Sequence, residues 1–434
     1  MDPILAALVL FGTFAVLLAL GVPISVGILV SAFGTALLML PWDGTTYVVG
    51  QQMTMGVESF SLLAVPLFIL AGNIMNNGGI AQRLVDLALV IAGRVPGSLA
   101  HTNVLANMLF GSLSGSAVAS AAAIGGTLHE RQRAAGYDPA YSTSVNIASA
   151  SVGLLIPPTT AAIVYSTVAG GVSVSALFMA GYVPGILMGV AVMIVAFLIA
   201  RRAGYRSSER VSAGTALRTL LRAVPSLLLV VVVVGGIVAG VFTATEGAAV
   251  AVVYCLGLSL LYRSLDRAAL RQIAVRTITS SGVVMLLIAA SSAMAWVMAY
   301  SGIPAALTEA LIGATDSSVL ILALMVAILL VVGTFLDITP AILIFTPIFL
   351  PIAEETGMDP VHFGMVLILA MCIGTMTPPV GSVLFVATGG AGVSVEQVVP
   401  RLLPYFAVLV ALLLLITYVP ALSLGVPGMM GLLG

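Results

Sequence analysis

The chain predicts an all-α polytopic membrane protein, an inverted structural repeat with two re-entrant helical hairpins and two broken helices. Three observations predict it. Hydrophobic residues fill 61% of 434 positions and charged residues 7%, with a mean hydropathy of +1.22. A soluble domain of this length cannot bury that much apolar surface, whereas a bilayer solvates it. The second observation is a duplication in one ungapped register, 221 residues apart. Gly136-Tyr-Asp138-Pro139 returns as Gly357-Met-Asp359-Pro360, Gly153-Leu-Leu-Ile-Pro157-Pro158 as Gly374-Thr-Met-Thr-Pro378-Pro379, and Gly171-Val-Ser-Val174 as Gly392-Val-Ser-Val395. The third is the placement of arginine, described below.

A span needs roughly 20 apolar residues. The first half offers spans at about 3–20, 22–40, 60–78, 141–170 and 177–200; the second offers 224–242, 246–262, 278–300, 361–388 and 397–420. Two further apolar stretches are interrupted, 97–128 by Gly111-Ser-Leu-Ser-Gly-Ser116 and 316–352 by Gly333-Thr-Phe-Leu-Asp-Ile-Thr-Pro340. Five crossings per half is an odd number, so the second repeat must lie upside down relative to the first. With residues 201–223 in the cytoplasm, all fifteen arginines fall inside, from Arg83, Arg94, Arg131 and Arg133 to Arg276 and Arg401, as positive-inside bias requires. The opposite loops carry Asp43, Glu58, Glu309, Asp316, Glu354, Glu355 and Asp359 and no basic residue. This holds only if 97–128 and 316–352 enter and return on the same face. Both termini then face the periplasm.

The hairpins and proline pairs divide the chain into a scaffold at 1–95, a body with the first hairpin at 96–200, and a cytoplasmic linker at 201–223. A second scaffold part follows at 224–314, a body with the second hairpin at 315–421, and a tail at 422–434. Ala81 to Ala92 and Pro304 to Gly313 are amphipathic at matched positions and read as arms along the bilayer surface.

Composition removes several function classes. Net charge is −1, so nothing suggests a nucleic-acid partner, and lysine is absent, which excludes phosphate-loop and Schiff-base chemistry. Cys255 and Cys372 lie in apolar runs and read as packing residues. Asp2 precedes the first apolar run with no basic residue, so that run reads as a retained span. His101, His129 and His362 show no metal spacing. Gly-Ser-Leu-Ser114-Gly-Ser faintly resembles an intramembrane protease loop, but the histidines offer it no well-placed base.

Candidate site residues gather where backbone is irregular at membrane depth, because unpaired N–H and C=O groups there need another partner. Ser112, Ser114 and Ser116 crowd the first tip with Gly111 and Gly115; the competing reading is close helix packing by small residues. Asn146 precedes Pro157-Pro158, which remove two backbone donors and free carbonyls in the preceding turn. Carbonyl and hydroxyl oxygens together suit Na⁺, and a half-helix beginning at Pro158 would present its N-terminal dipole to an anion. The second half repeats the design. The ion set is therefore Ser112, Ser114, Gly115, Ser116 and Asn146 with Gly333, Thr334, Asp337, Gly374, Thr375 and Thr377. The substrate set is Ser116, Pro157, Pro158, Thr159, Thr339, Pro378, Pro379 and Gly381. Asp337 is the sharpest of these, a carboxylate expected to be buried at membrane depth. Glu246 reads equally as helix-start structure or function.

At these residues a resemblance becomes specific. Gly-Val-Pro-Ile24, Phe68-Ile-Leu-Ala-Gly72, Gly115-Ser-Ala117, Pro157-Pro158 and Gly240-Val-Phe-Thr-Ala-Thr-Glu246 are similar to the large membrane subunit of TRAP (tripartite ATP-independent periplasmic) transporters. Gly333-Thr-Phe-Leu-Asp337 followed by Pro347-Ile-Phe-Leu-Pro351 resembles its second hairpin. The likeness covers essentially the whole chain. Two departures are Ala244, where the family commonly has proline, and Gly247, where alanine is usual. The resemblance implies an elevator-type secondary transporter of the bacterial inner membrane, driven by Na⁺ and importing an organic acid such as a dicarboxylate or sialic acid. It also implies a small four-helix membrane subunit and a periplasmic substrate-binding protein as partners. The alternatives are a stand-alone Na⁺/divalent-anion symporter and an intramembrane hydrolase.

Overall fold

A computed structural model describes residues 2–433 apart from 78–79, 94, 206–211, 316 and 379. Among the described residues every regular element is helical. The first half runs α1 (Pro3–Ala19), α2 (Ile24–Leu37), α3 (Trp42–Val57), α4 (Ala64–Asn77), α5 (Ile80–Ala92), α6 (Ser98–Ser114), α7 (Ala117–Ala134), α8 (Pro139–Ala150), α9 (Thr160–Val168) and α10 (Val174–Ala203). The second runs α11 (Ala213–Val238), α12 (Ala244–Leu261), α13 (Arg267–Ser301), α14 (Ile303–Ala314), α15 (Ser318–Gly333), α16 (Ile338–Glu355), α17 (Pro360–Gly374), α18 (Ser382–Ala391), α19 (Val395–Tyr418) and α20 (Ala421–Met429). Six of these are long and apolar enough to cross a membrane.

The repeated tetrapeptides are helix punctuation. Gly136 and Gly357 take φ of +79° and +82°, the left-handed geometry that terminates α7 and α16. Two residues on, Asp138 accepts from the Ala140 N–H at 3.1 Å and Asp359 from the Val361 N–H at 2.7 Å. The proline after each aspartate opens α8 and α17 at the position where its missing N–H costs nothing. Both broken helices are therefore started by the same three residues.

The first expected hairpin is an antiparallel helix pair, α6 and α7. Ser120 Oγ donates to Asn107 Oδ1 at 2.7 Å and Gln132 Nε2 to the Leu99 carbonyl at 3.1 Å, so α7 returns along the full length of α6. The first tip is tighter than the sequence predicts: only Gly115 and Ser116 separate the helices, and Gly111 to Ser114 are still helical. Gly115, at φ +63°, closes α6 by itself, so the upstream serines need not turn the chain.

Two other expectations are corrected. Residues 42–57 form a helix that joins 60–76 across a 62° bend; Asp43 begins that helix instead of lying in a loop. The matching stretch of the second repeat is one unbroken helix, α13, so Arg267, Arg271 and Arg276 are helical. The C-terminal tail carries a further helix. Helix α20 packs on α10 and α17, and the Ser423 hydroxyl bonds the His362 ring at 2.6 Å.

Ala244 leaves the turn before α12 intact, because Thr243 and Glu246 form a full capping box. Glu246 thus has a structural task there. Gly247 is explained by its neighbour: a Cβ would lie 2.7 Å from Ile237 Cδ1. The two amphipathic segments are helical, as α5 and α14. Arg83 stands 3.2 Å from the Tyr262 ring centroid, tying α5 to the end of α12.

Candidate functional site

Each hairpin meets the broken helix of its own half at a glycine pair. A Cβ on Gly153 would lie 2.4 Å from the Gly111 Cα, and one on Gly374 would lie 2.4 Å from the Gly333 Cα. No side chain fits between these backbones, so Gly333 and Gly374 position the second tip directly over the second break. There the Gly381 N–H donates to the Thr334 carbonyl at 3.3 Å, and the Val383 N–H to the Thr375 carbonyl at 3.2 Å. A Cβ on Gly381 would meet the Thr377 carbonyl at 2.9 Å. Pro378 stands in this loop; Pro379 lies outside the described residues.

Across the molecule the two tips and the first break enclose a cavity of about 70 Å³. Gly115, Ser116, Thr160, Asp337 and Thr339 line it. Ser116 and Asp337, equivalent in the two repeats, have equivalent tasks: Ser116 Oγ accepts from the Ala119 N–H at 3.2 Å and Asp337 Oδ1 from the Ile338 N–H at 3.0 Å. Each caps the returning helix of its hairpin. Asp337 lies deep in the protein, as the sequence suggests, yet keeps accessible side-chain surface because it lines the cavity. The half-helix after the first proline pair begins at Thr160, two residues later than expected. Thr159, in extended backbone, caps it by accepting from the Ala161 N–H at 3.2 Å; Pro157 and Pro158 form the loop before it. The N-terminus of α9 opens on the cavity with its unpaired donors.

Several predicted ion ligands turn inward. Ser112 donates to the Leu109 carbonyl at 3.0 Å, Thr334 to Val331 at 2.7 Å, Thr375 to Cys372 at 2.9 Å and Thr377 to Ile373 at 2.7 Å. These hydroxyls spend their hydrogens on their own helix turns, leaving both oxygen lone pairs of each for another ligand. Ser114 reaches the Ser116 carbonyl at 3.5 Å.

Asn146 is not at the tip. Its Nδ2 donates to the Ala121 carbonyl at 2.8 Å, and its Oδ1 accepts from Asn107 Nδ2 at 3.0 Å. Asn107 also bonds Asn103 at 2.8 Å and Ser149 at 2.8 Å. This buried network inside the first hairpin was missed at Asn103 and Asn107, although two asparagines four apart in an apolar helix signal a shared polar face.

Among the described residues no group of three or more His, Cys, Asp and Glu side chains gathers. The cavity instead offers hydroxyls, backbone groups and one carboxylate, an all-oxygen set of the kind hard cations take. The tripartite ATP-independent periplasmic transporter DctM component matches residues 11–422. The chain is 50% identical to the uncharacterized protein YgiK of Salmonella typhimurium over 97% of both. It is 34% identical to the 2,3-diketo-L-gulonate TRAP transporter large permease protein YiaN of Escherichia coli, over 96% of this chain and 98% of the other. The fold is similar to the crystal structure of the Alcanivorax borkumensis YdaH transporter, with TM-score 0.59 at 17% identity, covering 87% of this chain and 89% of that one. With the family model spanning nearly the whole length, the chain belongs to the large membrane permeases of the TRAP transporters.

Proposed function

We propose that this permease imports an organic acid across the bacterial inner membrane together with Na⁺, by an elevator movement of one body against another. It is a transporter subunit and not an enzyme, as its relatives are. The observation that carries the reading is the cavity where Ser116 and Asp337 face each other's hairpin beside the N-terminus of α9. An anion gains there from the half-helix donors, and Na⁺ from the Asp337 carboxylate and the hydroxyl and carbonyl oxygens around it. Loading both together keeps the charge of the site low, which favours coupled transport over either species alone. The substrate class follows the name of YiaN, which handles a sugar acid; dicarboxylates belong to the same chemistry.

The moving body would be 96–200 with 315–421, holding both hairpins and both breaks. The scaffold would be 1–95 with 201–314, where α13 packs along α2, α3 and α4 and α12 along α4. The repeat halves would be mutually inverted, both termini periplasmic, with a small membrane subunit and a periplasmic binding protein completing the system. Relatives named as TRAP permeases favour this over a stand-alone anion symporter.

Uptake into proteoliposomes tests it. Transport of a sugar acid or C4 dicarboxylate should require both partners and fall when K⁺ replaces Na⁺. Uptake without the binding protein, or unchanged in K⁺, would overturn the reading.

A further inference from the structure

The hairpins and broken helices of the two repeats correspond, but they differ in one interior space. Against the second broken helix, Tyr165 of α9 lies on Gly364, where a Cβ would meet the ring at 2.5 Å, and its hydroxyl donates to the Pro360 carbonyl at 2.6 Å. The ring fills the space between α9 and α17. At the matching place between α18 and α8, the residue equivalent to Tyr165 is Val386 and the one equivalent to Gly364 is Thr143. No ring fills that space, and a cavity of about 230 Å³ remains.

Its polarity is equally one-sided. Asn103, Ser142 and Asn146 line it, together with His129 and Gln132. Their counterparts in the second repeat are Leu324, Phe363, Leu367, Leu350 and Ala353, all apolar. Asn103 and Ser142 are 1% and 2% exposed, yet Asn103 Nδ2 and Ser142 Oγ have no hydrogen-bond partner. Buried donors without partners are rare in native proteins and need a partner. No acidic side chain lines the cavity, so these donors suit an oxygen acceptor and not a cation. The volume admits a small organic acid with its remaining waters. The lining reaches His129 and Gln132, toward the end of α7 that carries Arg131 and Arg133, the cytoplasmic end by positive-inside bias.

We infer that this cavity is a second carboxylate-binding station, an exit vestibule that only the first repeat possesses. It rests on the reading above that the cargo is an organic acid. Asn103 and Ser142 turn their covered donors out of the cavity wall to hold a carboxylate after it leaves the tips, and the ring of Tyr165 closes the equivalent route on the other face. The asymmetry gives a pseudo-symmetric carrier different surroundings on its two sides.

The test uses the complete three-component system. Gly126 lines the cavity and a Cβ there meets nothing within 4 Å, so Gly126→Cys reports on the space without disturbing it. A water-soluble thiol reagent applied from the cytoplasmic face should label it. Whichever of succinate, gluconate and N-acetylneuraminate the system transports should slow that labelling several-fold. Asn103→Asp keeps the oxygen that Asn107 needs but turns the free donor into an acceptor; it should abolish the protection and leave labelling without acid unchanged. Val386→Tyr with Thr143→Gly copies the plug of the other repeat and should cut uptake at least tenfold in protein that still inserts. A thiol that does not label, labelling that the transported acid does not slow, or a plug without effect on uptake overturns the vestibule while import of the acid stands. Uptake of no organic acid overturns both.

Discussion

Ser151 and Cys372 occupy the same position in the two repeats and touch each other, the Cys372 thiol lying 3.4 Å from the Ser151 carbonyl. Residues 221 positions apart in the chain therefore meet across the seam between the two halves. The contact lies where α8 and α17 end, beside both helix breaks. The duplicated halves are thus joined close to both breaks, and Tyr165 of one half also reaches the Pro360 carbonyl of the other.

The glycine crossings should tolerate no side chain. Gly374→Ala puts a methyl 2.4 Å from the Gly333 Cα, and overpacking of this kind costs about 1–3 kcal/mol. Thermal unfolding in detergent should begin earlier, and uptake should fall further than stability because the second tip is lifted off its break. Gly257→Ala in α12, with open space at its Cβ, serves as the control.

Asp337 separates capping from ion binding. Asparagine caps as well as aspartate, whereas alanine loses about 1 kcal/mol. Asp337→Asn should therefore unfold like the wild type but need more Na⁺ for half-maximal uptake, while Asp337→Ala should also lose stability. An unchanged Na⁺ response in the asparagine variant would remove the carboxylate from the ion site.

Movement between the two bodies can be frozen. Gly72 of α4 lies against the first tip, its Cβ position 3.2 Å from the Ser114 Cα. A cysteine pair at 72 and 114 should crosslink on oxidation, abolish uptake, and recover it on reduction. Full transport through the oxidised protein would argue for a fixed scaffold with local gating.

Orientation is checked by impermeant thiol reagents on intact cells: a cysteine at Glu355 should label and one at Arg133 should not. Glu309 and Glu355 line an open groove beside α14. If a binding protein docks on this acidic rim, reversing Glu354 and Glu355 to arginine should slow uptake and weaken its salt dependence.

The sequence by itself determined the class, the duplication, the hairpins and the breaks, because these depend on properties a chain carries locally. Apolar length selects the bilayer, Gly-x-Asp-Pro ends one helix and starts the next, and a proline pair interrupts another. Family membership was legible for the same reason, in short motifs around those breaks. The tertiary structure decided which side chains share a space. Ser116, Asp337 and Thr160 are far apart in the chain and meet only because the two tips converge on one break. The hydroxyls at 334, 375 and 377 look alike in sequence, yet each bonds its own helix, since backbone geometry there puts a carbonyl within reach. Asn146 reads as a tip ligand until α6 packs beside α8 and supplies Asn107. The cavity at Val386 depends on a ring being absent where its counterpart has one, and empty volume is a property of packing that no single position encodes.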